Sequence, residues 1–222
     1  AENLPFLIER IGEIFFEKNN EVIFVDNGSY DETPQILPNL IKNYIHFKSI
    51  RIENNLGYGN GILMGLRQAK GDVLAWTHAD MQTDPADLLK GLKIFEEYGT
   101  NIFVKGRRLG RPILDSFFTL GMSIFESIVL KKLMWDINAQ PTMFSKDFFK
   151  AWENPPLDFS LDLFVYNEAI KQSYPIHRFH VNFANRKFGK SHWNINWSSK
   201  FKFIKNTMKY SFNLRKDLKP WK

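Results

Sequence analysis

The sequence predicts an α/β fold with a mostly parallel central sheet flanked by helices, followed by an amphipathic helical tail. Three observations carry this reading. The first half alternates helical and strand-like patterns, which is how a parallel sheet with crossover helices is written in a chain. The strand-like runs are short, β-branched and bounded by turn residues, as in strands covered on both faces. The second half contains no repeat and no low-complexity linker, so residues 1–194 read as one domain and residues 195–222 as its tail. At 222 residues, with 44% apolar and 24% charged residues, the chain is long enough for one sizeable core.

Each element follows from its local pattern. In residues 3–18 the apolar positions Leu4, Leu7, Ile8, Ile11 and Phe15 recur at helical spacing. Residues 21–26 (EVIFVD) sit between Asn-Asn and Asn-Gly and read as a buried strand. A short helix is expected after Thr33-Pro34, then a strand over 47–52, a helix over 58–70 and a strand over 73–77. Pro85 suits the first turn of a helix running to about Tyr98, and residues 102–105 form the next strand. Beyond that lie a long amphipathic helix over 112–133, a strand over 142–144, a helix over 161–171 and a strand over 176–183.

Charge narrows the classes of function. The net charge is +6, yet residues 200–222 hold eight Lys or Arg against Asp217 alone, so the preceding body is close to neutral. That argues against a nucleic-acid surface and for a local basic element. The absence of cysteine excludes disulfides, thiolate metal sites and thiol nucleophiles. No basic segment followed by an apolar run opens the chain, and the apolar stretch 113–135 is broken by Asp115, Glu126, Lys131 and Lys132. It falls short of the ~20 apolar residues a membrane span needs, so a soluble or surface-bound protein is expected.

Four constellations carry chemistry. Asp26-Asn27-Gly28-Ser29, with Asp31 and Thr33, closes the first strand, where open α/β sheets bind ligands. Its carboxylate can accept hydrogen bonds from a base or ribose, or the segment is an Asx-type turn with Thr33 capping a helix. The run Asn54-Asn55-Leu56-Gly57-Tyr58-Gly59-Asn60-Gly61 permits close backbone approach to a phosphate or base, or makes a tight turn. His78, Asp80 and Gln82 alternate after the VLAWT strand, so in an extended segment they share a side. An imidazole, a carboxylate and an amide oxygen can hold Mg²⁺ or Mn²⁺ against a diphosphate; the alternative is a polar turn with Asp84 capping the next helix. Lys105, Arg107, Arg108, Arg111, Arg186, Lys187 and Lys190 are candidates for phosphate, or simply a solvated face.

Taken in order, these segments resemble the family 2 glycosyltransferases of the GT-A fold, and within them the dolichyl- or polyprenyl-phosphate sugar transferases. The carriers are VDNGSYDET, NNLGYGNGILMGLRQAKGD, HADMQTDP, KGRR followed by Arg111, and RKFGKS. The resemblance implies nucleotide contacts at Asp26, Asn27, Asn55, Gly57 and Ala79. It implies Mg²⁺ or Mn²⁺ ligands at His78, Asp80 and Gln82, with Asp80 also catalytic, and phosphate or acceptor contacts at Arg108, Arg111, Arg186, Lys190 and Ser191. Two departures stand out: His78 occupies the family's first metal-segment Asp, making that site less anionic, and Asn27 replaces an Asp. The family's opening strand also has no counterpart, since Ala1-Glu2-Asn3-Leu4 resembles the residues just after it. Loss of a central strand would leave unpaired backbone and an open core face, so the expectation is an unstable or inactive chain.

The implied reaction is an inverting transfer from a UDP- or GDP-sugar, metal and basic side chains stabilising the departing diphosphate. A lipid-phosphate acceptor needs no general base. A glycan hydroxyl does, and Asp158 or Asp162 could supply it or could instead cap the following helix. In the tail, Trp197, Phe201, Ile204, Met208 and Phe212 line one helical side, with Lys202, Lys205, Lys209 and Lys216 beside them. Phe203, Tyr210 and Leu214 widen the apolar face, which suits an anionic membrane surface at its cytoplasmic side, or a helix packed on the domain.

Overall fold

The computed structural model describes residues 1–16, 19–110, 113–184 and 197–216, and the side chains of all of these except 113–118 and 197–203. Helix α1 (Leu4–Ile14) buries Leu7, Ile8 and Ile11, the stripe that its spacing predicts. Strands β1 (Val22–Asn27) and β2 (Phe47–Ile52) pair in parallel from Val22↔Phe47 to Asn27↔Ile52, joined by α2 (Thr33–Ile41). Phe24, Leu37, Ile41 and Phe47 complete a core beneath α1.

Helix α3 (Tyr58–Gln68) leads to β3 (Val73–Trp76), α4 (Asp87–Tyr98) and β4 (Phe103–Leu109). After α5 (Ile113–Leu130) come β5 (Thr142–Ser145), α6 (Lys146–Lys150), α7 (Leu161–Lys171), β6 (Ile176–Asn182) and α8 (Trp197–Lys216). The second sheet has the order β3-β5-β4-β6; β4 and β6 are parallel, and β5 runs antiparallel to both its neighbours. Phe103, Phe144 and Phe148 are fully buried at its centre and meet Tyr166 and Trp152 edge-on or stacked.

Three differences from the sequence pattern have local causes. Strand β4 runs to Leu109 because β6 pairs with it through Leu109↔Asn182. Helix α5 stops at Leu130 because Lys131 turns left-handed (φ 52°) and Lys132 N–H bonds to Ser127 O at 3.2 Å, a Schellman-type stop. The short α6 is capped by Ser145, which accepts from Phe148 N–H at 3.2 Å.

Among the described residues the strands form two sheets rather than one. Among the described residues no strand lies between β1 and β3, and Ala75, midway along β3, is exposed. The two sheets are tied at both ends. At one, Glu21 accepts Lys70 N–H at 2.8 Å; at the other, the Ala1 amine meets Asp31 at 2.6 Å and the Asn3 amide donates to Ala79 O.

Helix α5 carries an acid toward the interior. Glu126 is fully buried, and burial pushes its carboxyl up from 4.5 to about 7, with the Ser211 hydroxyl pulling weakly the other way. The folded chain therefore keeps a proton that the unfolded chain releases, and stability falls as pH rises through this window. The loss amounts to about 3 kcal/mol between the two pKa values. Urea unfolding at about pH 5 and about pH 8 should show this loss in the wild type and little of it in Glu126→Gln; an equal loss in both proteins would contradict the assignment.

Candidate active site

The loops after β1, β3, β4 and β6 come together at the carboxyl ends of the strands. Ala184 N–H donates to Gln82 O at 2.7 Å, Phe183 N–H donates to Leu109 O at 2.9 Å, and the rings of His78 and Phe183 lie 6.5 Å apart. With Asn3 linking Ala79 to the Asp31 end, one rim collects residues that are far apart in the chain.

The nucleotide candidates sit together on that rim. Asp26 is almost fully buried, accepts Ser29 N–H at 2.9 Å and is paired with Arg51 at 2.6 Å. The turn alternative for this segment is thus realised, with Gly28 at φ 75°, while the second carboxylate oxygen is held by Arg51. Asn27 donates its amide to Gly57 O at 2.9 Å and to Asn55 Oδ1 at 3.3 Å. Asp26, Asn27, Asn55 and Gly57 are therefore one constellation. Arg51 belongs to it and was not expected, because an exposed position in an alternating strand carries no sign of a buried partner 25 residues away.

The glycine-rich turn does something other than cradle a phosphate at Gly59. A Cβ at Gly59 would lie 2.5 Å from Pro156 O and 2.8 Å from Asp158 O, and Gly57, at φ 125°, is pressed against Leu157 O. Asn60 N–H donates to Leu157 O at 2.9 Å, and Tyr58 stacks on Phe159 with centroids 4.7 Å apart. The backbone these glycines admit is the chain's own.

Residues 78–84 are not an extended segment. The chain bends from Ala79 to Thr83, with Met81 left-handed (φ 58°), so the alternation that would put His78, Asp80 and Gln82 on one side does not hold. An Asx turn instead joins two of them: Gln82 N–H donates to Asp80 Oδ1 at 3.1 Å, while the Gln82 amide donates to Ala184 O at 3.2 Å. Asp84 takes up the helix-start role, accepting Ala86 N–H at 3.0 Å and a two-pronged contact from Arg10, which lowers its pKa. Among the described residues, no three His, Cys, Asp or Glu side chains form a cluster able to hold a metal. One carboxylate with an imidazole and an amide fits a hard cation that takes its remaining oxygens from a diphosphate and water, rather than one caged by protein.

The basic residues separate into different roles. Lys105 is neither on a solvated face nor at the rim: it is fully buried, bonded to Thr142 at 2.7 Å and 3.7 Å from Asp162, and burial lowers its pKa to about 8. Asp162, 2% exposed, has its pKa raised by burial, with Lys105 acting against that rise. Tyr58 borders the same cluster; its hydroxyl accepts the Gln140 amide at 2.5 Å and its pKa is raised by burial and then by Asp162. Arg108 is engaged by Asp136, through its side chain at 2.9 Å and its backbone N–H at 3.0 Å, and lies over the Phe183 ring. Arg107 is exposed on the face of β4 that adjoins a cavity. Arg111, Arg186, Lys187, Lys190 and Ser191 lie outside the described residues. Asp158 is exposed and accepts Ser160 N–H at 2.9 Å, so of the two carboxylates in this segment only Asp158 faces solvent.

Comparison with known proteins adds the family. The sequence model of Glycosyl transferase family 2 matches residues 1–157. Two similar proteins are undecaprenyl-phosphate 4-deoxy-4-formamido-L-arabinose transferases. The one from Proteus mirabilis (strain HI4320) is 34% identical over 122 residues, covering 53% of this chain and 36% of the relative. The one from Photorhabdus laumondii subsp. laumondii is 32% identical over 120 residues, with the same shares. The match thus spans about a third of these relatives' length. Among solved structures, glucosyl-3-phosphoglycerate synthase from Mycobacterium tuberculosis with Mn²⁺, UDP-glucose and phosphoglyceric acid superimposes with a TM-score of 0.70 at 13% identity, covering 98% of this chain and 76% of that one. A mannosyltransferase from Pyrobaculum calidifontis with GDP-Man and Mn²⁺ gives 0.62 at 18% identity, covering 96% and 66%. At these identities the likeness establishes the fold, GT-A, and nothing finer.

The Lys105–Asp162 pair gives a test of the site's interior. Breaking a buried pair from one side strands the other charge, so Asp162→Asn should cost about 3–5 kcal/mol in chemical denaturation. Adding Lys105→Met to it should recover most of that loss. A single-variant cost below about 1 kcal/mol would show that the pair is not a buried electrostatic contact.

Proposed function

The chain belongs to glycosyl transferase family 2, and from that premise we propose that it transfers a sugar from a UDP- or GDP-sugar to a polyprenyl-type lipid phosphate. Residues 1–194 are the transferase unit in this reading and residues 195–222 its basic tail. The relatives' names, which specify undecaprenyl phosphate, carry the choice of acceptor; of the two candidate bases for a hydroxyl, Asp162 is buried and Asp158 is exposed. A hydroxyl acceptor must lose a proton to a base, and Asp162 is buried against Lys105. A lipid phosphate arrives ionised and needs none.

The roles follow from the rim. Asp26, oriented by Arg51, and Asn27, Asn55 and Gly57 bind the nucleoside. Asp80 lies in the bend at Met81 and accepts Gln82 N–H. The solved neighbours contain Mn²⁺ or Mg²⁺ with UDP, and such an ion, bound here by His78, Asp80 and Gln82, would neutralise the diphosphate as it leaves. The sugar is then attacked in line from the face opposite the diphosphate, which inverts its anomeric centre. Arg108, Arg111, Arg186, Lys190 and Ser191 are the candidates for phosphate of the acceptor or the donor, Arg108 sharing its guanidinium with Asp136.

Sugar release from radiolabelled UDP- and GDP-sugars, with Mn²⁺ and undecaprenyl phosphate, tests the reaction. Label entering the lipid phase is expected; label entering only an added glycan would move the acceptor to a hydroxyl, with Asp158 the exposed carboxylate available as base. Nucleotide binding without transfer would leave a binding module.

A second test addresses the cation. With one protein carboxylate in the donor set, Mn²⁺ should bind weakly to the protein alone and much more tightly once UDP or GDP is present. Asp80→Asn should remove that gain and lower kcat/KM by on the order of 100-fold or more. Tight Mn²⁺ binding in calorimetry without nucleotide would contradict this arrangement.

A further inference from the structure

Strands β4 and β6 set basic side chains opposite one another. Their parallel register pairs Lys105 with Arg178 and Arg107 with His180. Partners across a ladder share a side of the sheet, so three cations and an imidazole turn to one face. Like charges directly opposite destabilise a strand pair unless something answers them. Lys105 is answered by Asp162 at 3.7 Å. Arg107, Arg178 and His180 instead line a cavity of about 640 Å³, which Trp135 and Tyr166 border from the other side.

The acids around this cavity are already engaged. The segments that wall it, β4, residues 131–136, α7 and β6, contain three carboxylates. Asp162 faces Lys105, Asp136 holds Arg108, and Glu168 is paired with Lys171 at 3.1 Å. Glu168 also offsets Lys132, the other cation of the lining, which donates to Asn167 at 3.3 Å. Lys132 therefore adds no free charge, and the argument rests on the two arginines. Neither Arg107 nor Arg178 has a carboxylate partner among the described residues. Arg178 donates to Gly106 O at 3.1 Å and to Trp135 O, and lies 5.1 Å from the centre of the Tyr166 ring. These contacts fix the direction of its guanidinium without neutralising it.

We propose that the cavity binds a small organic phosphate with a planar body, its phosphoryl group on Arg107, Arg178 and His180 and its body against Trp135 and Tyr166. Two guanidinium forks left with their charge suit a dianionic phosphoryl group, and the imidazole adds a further donor. The volume lies in the range of small-molecule sites and exceeds what inorganic phosphate alone would fill. None of the residues assigned to the strand-end site lines this cavity, and Arg107 leaves β4 on the side opposite its neighbour Arg108. The site is thus additional to the one for the nucleoside diphosphate. It does not rest on the transfer reaction proposed above, and its test needs neither sugar nucleotide nor divalent cation, so either can fail alone.

The test is ligand-observed NMR on the full chain in EDTA, with phenyl phosphate as the probe and inorganic phosphate, glycerol 3-phosphate and phenol as its partial mimics. Phenyl phosphate should bind more tightly than any of the three. Arg107→Gln/His180→Gln should weaken phenyl phosphate and inorganic phosphate about tenfold or more and leave phenol unchanged. Trp135→Ala should weaken phenyl phosphate and phenol but not inorganic phosphate. Arg107, His180 and Trp135 are exposed, and an unchanged thermal unfolding midpoint confirms that each variant is folded. Wild-type affinity for phenyl phosphate in Arg107→Gln/His180→Gln, or no binding of it to the wild type, would overturn the proposal. Loss only in Lys205→Glu/Lys209→Glu would move the anion to the basic tail, and a preference for glycerol 3-phosphate would replace the planar ligand with a lipid-headgroup type; either result contradicts the site as assigned.

Discussion

The first turn of α3 is held between two stretches of backbone from opposite halves of the chain. On one side Asn27, at the end of β1, reaches Gly57 O and crowds Gly61; on the other, residues 156–158 lie on Gly57 and Gly59. Side chains at these glycines would meet carbonyl oxygens, and carbonyls of packed loops have little room to retreat. This closeness lets the β1–β2 sheet, which shares no ladder with the other four strands, take a defined position beside them. The same turn carries Asn55 and Tyr58, so the Asp26–Asn27–Asn55–Gly57 constellation and the buried Tyr58–Asp162–Lys105 cluster meet at one place.

From that junction the site's electrostatics follow. Lys105 and Asp162 share an interior in which neither is well solvated: burial pulls the Lys105 pKa down and pushes that of Asp162 up. A carboxylate committed in this way organises α7 against β4 and leaves Asp158 as the exposed carboxylate of its segment. The bend after β3, residues 79–83, carries a single carboxylate, Asp80. That economy suits a cation that arrives with its diphosphate.

Most of the architecture was legible because it rests on periodicity. The stripes of α1 and α3 and the β-branched runs of β1 and β3 are local patterns, and the strand-end placement of Asp26 and Asp80 follows from them. Long-range contacts left no such trace. Arg51 on Asp26, Arg108 on Asp136 and the burial of Lys105 each depend on a partner at least 25 residues away. Local bends were half-hidden for another reason: Met81 is left-handed without being a glycine, so the sequence left both an extended segment and a polar turn open over 78–84. Helix α5 reads as amphipathic in either state; which face turns outward is settled by what packs beneath it.

Segments 26–29, 55–61 and 78–82 are proposed to act as one site for a nucleoside diphosphate and its cation. Hydrogen–deuterium exchange with and without Mn²⁺ and UDP or GDP tests this most directly. Protection should rise in all three segments together, and only when ion and nucleotide are both present for 78–82. Protection confined to one of them, or appearing elsewhere on the chain, would contradict a single site at the strand ends.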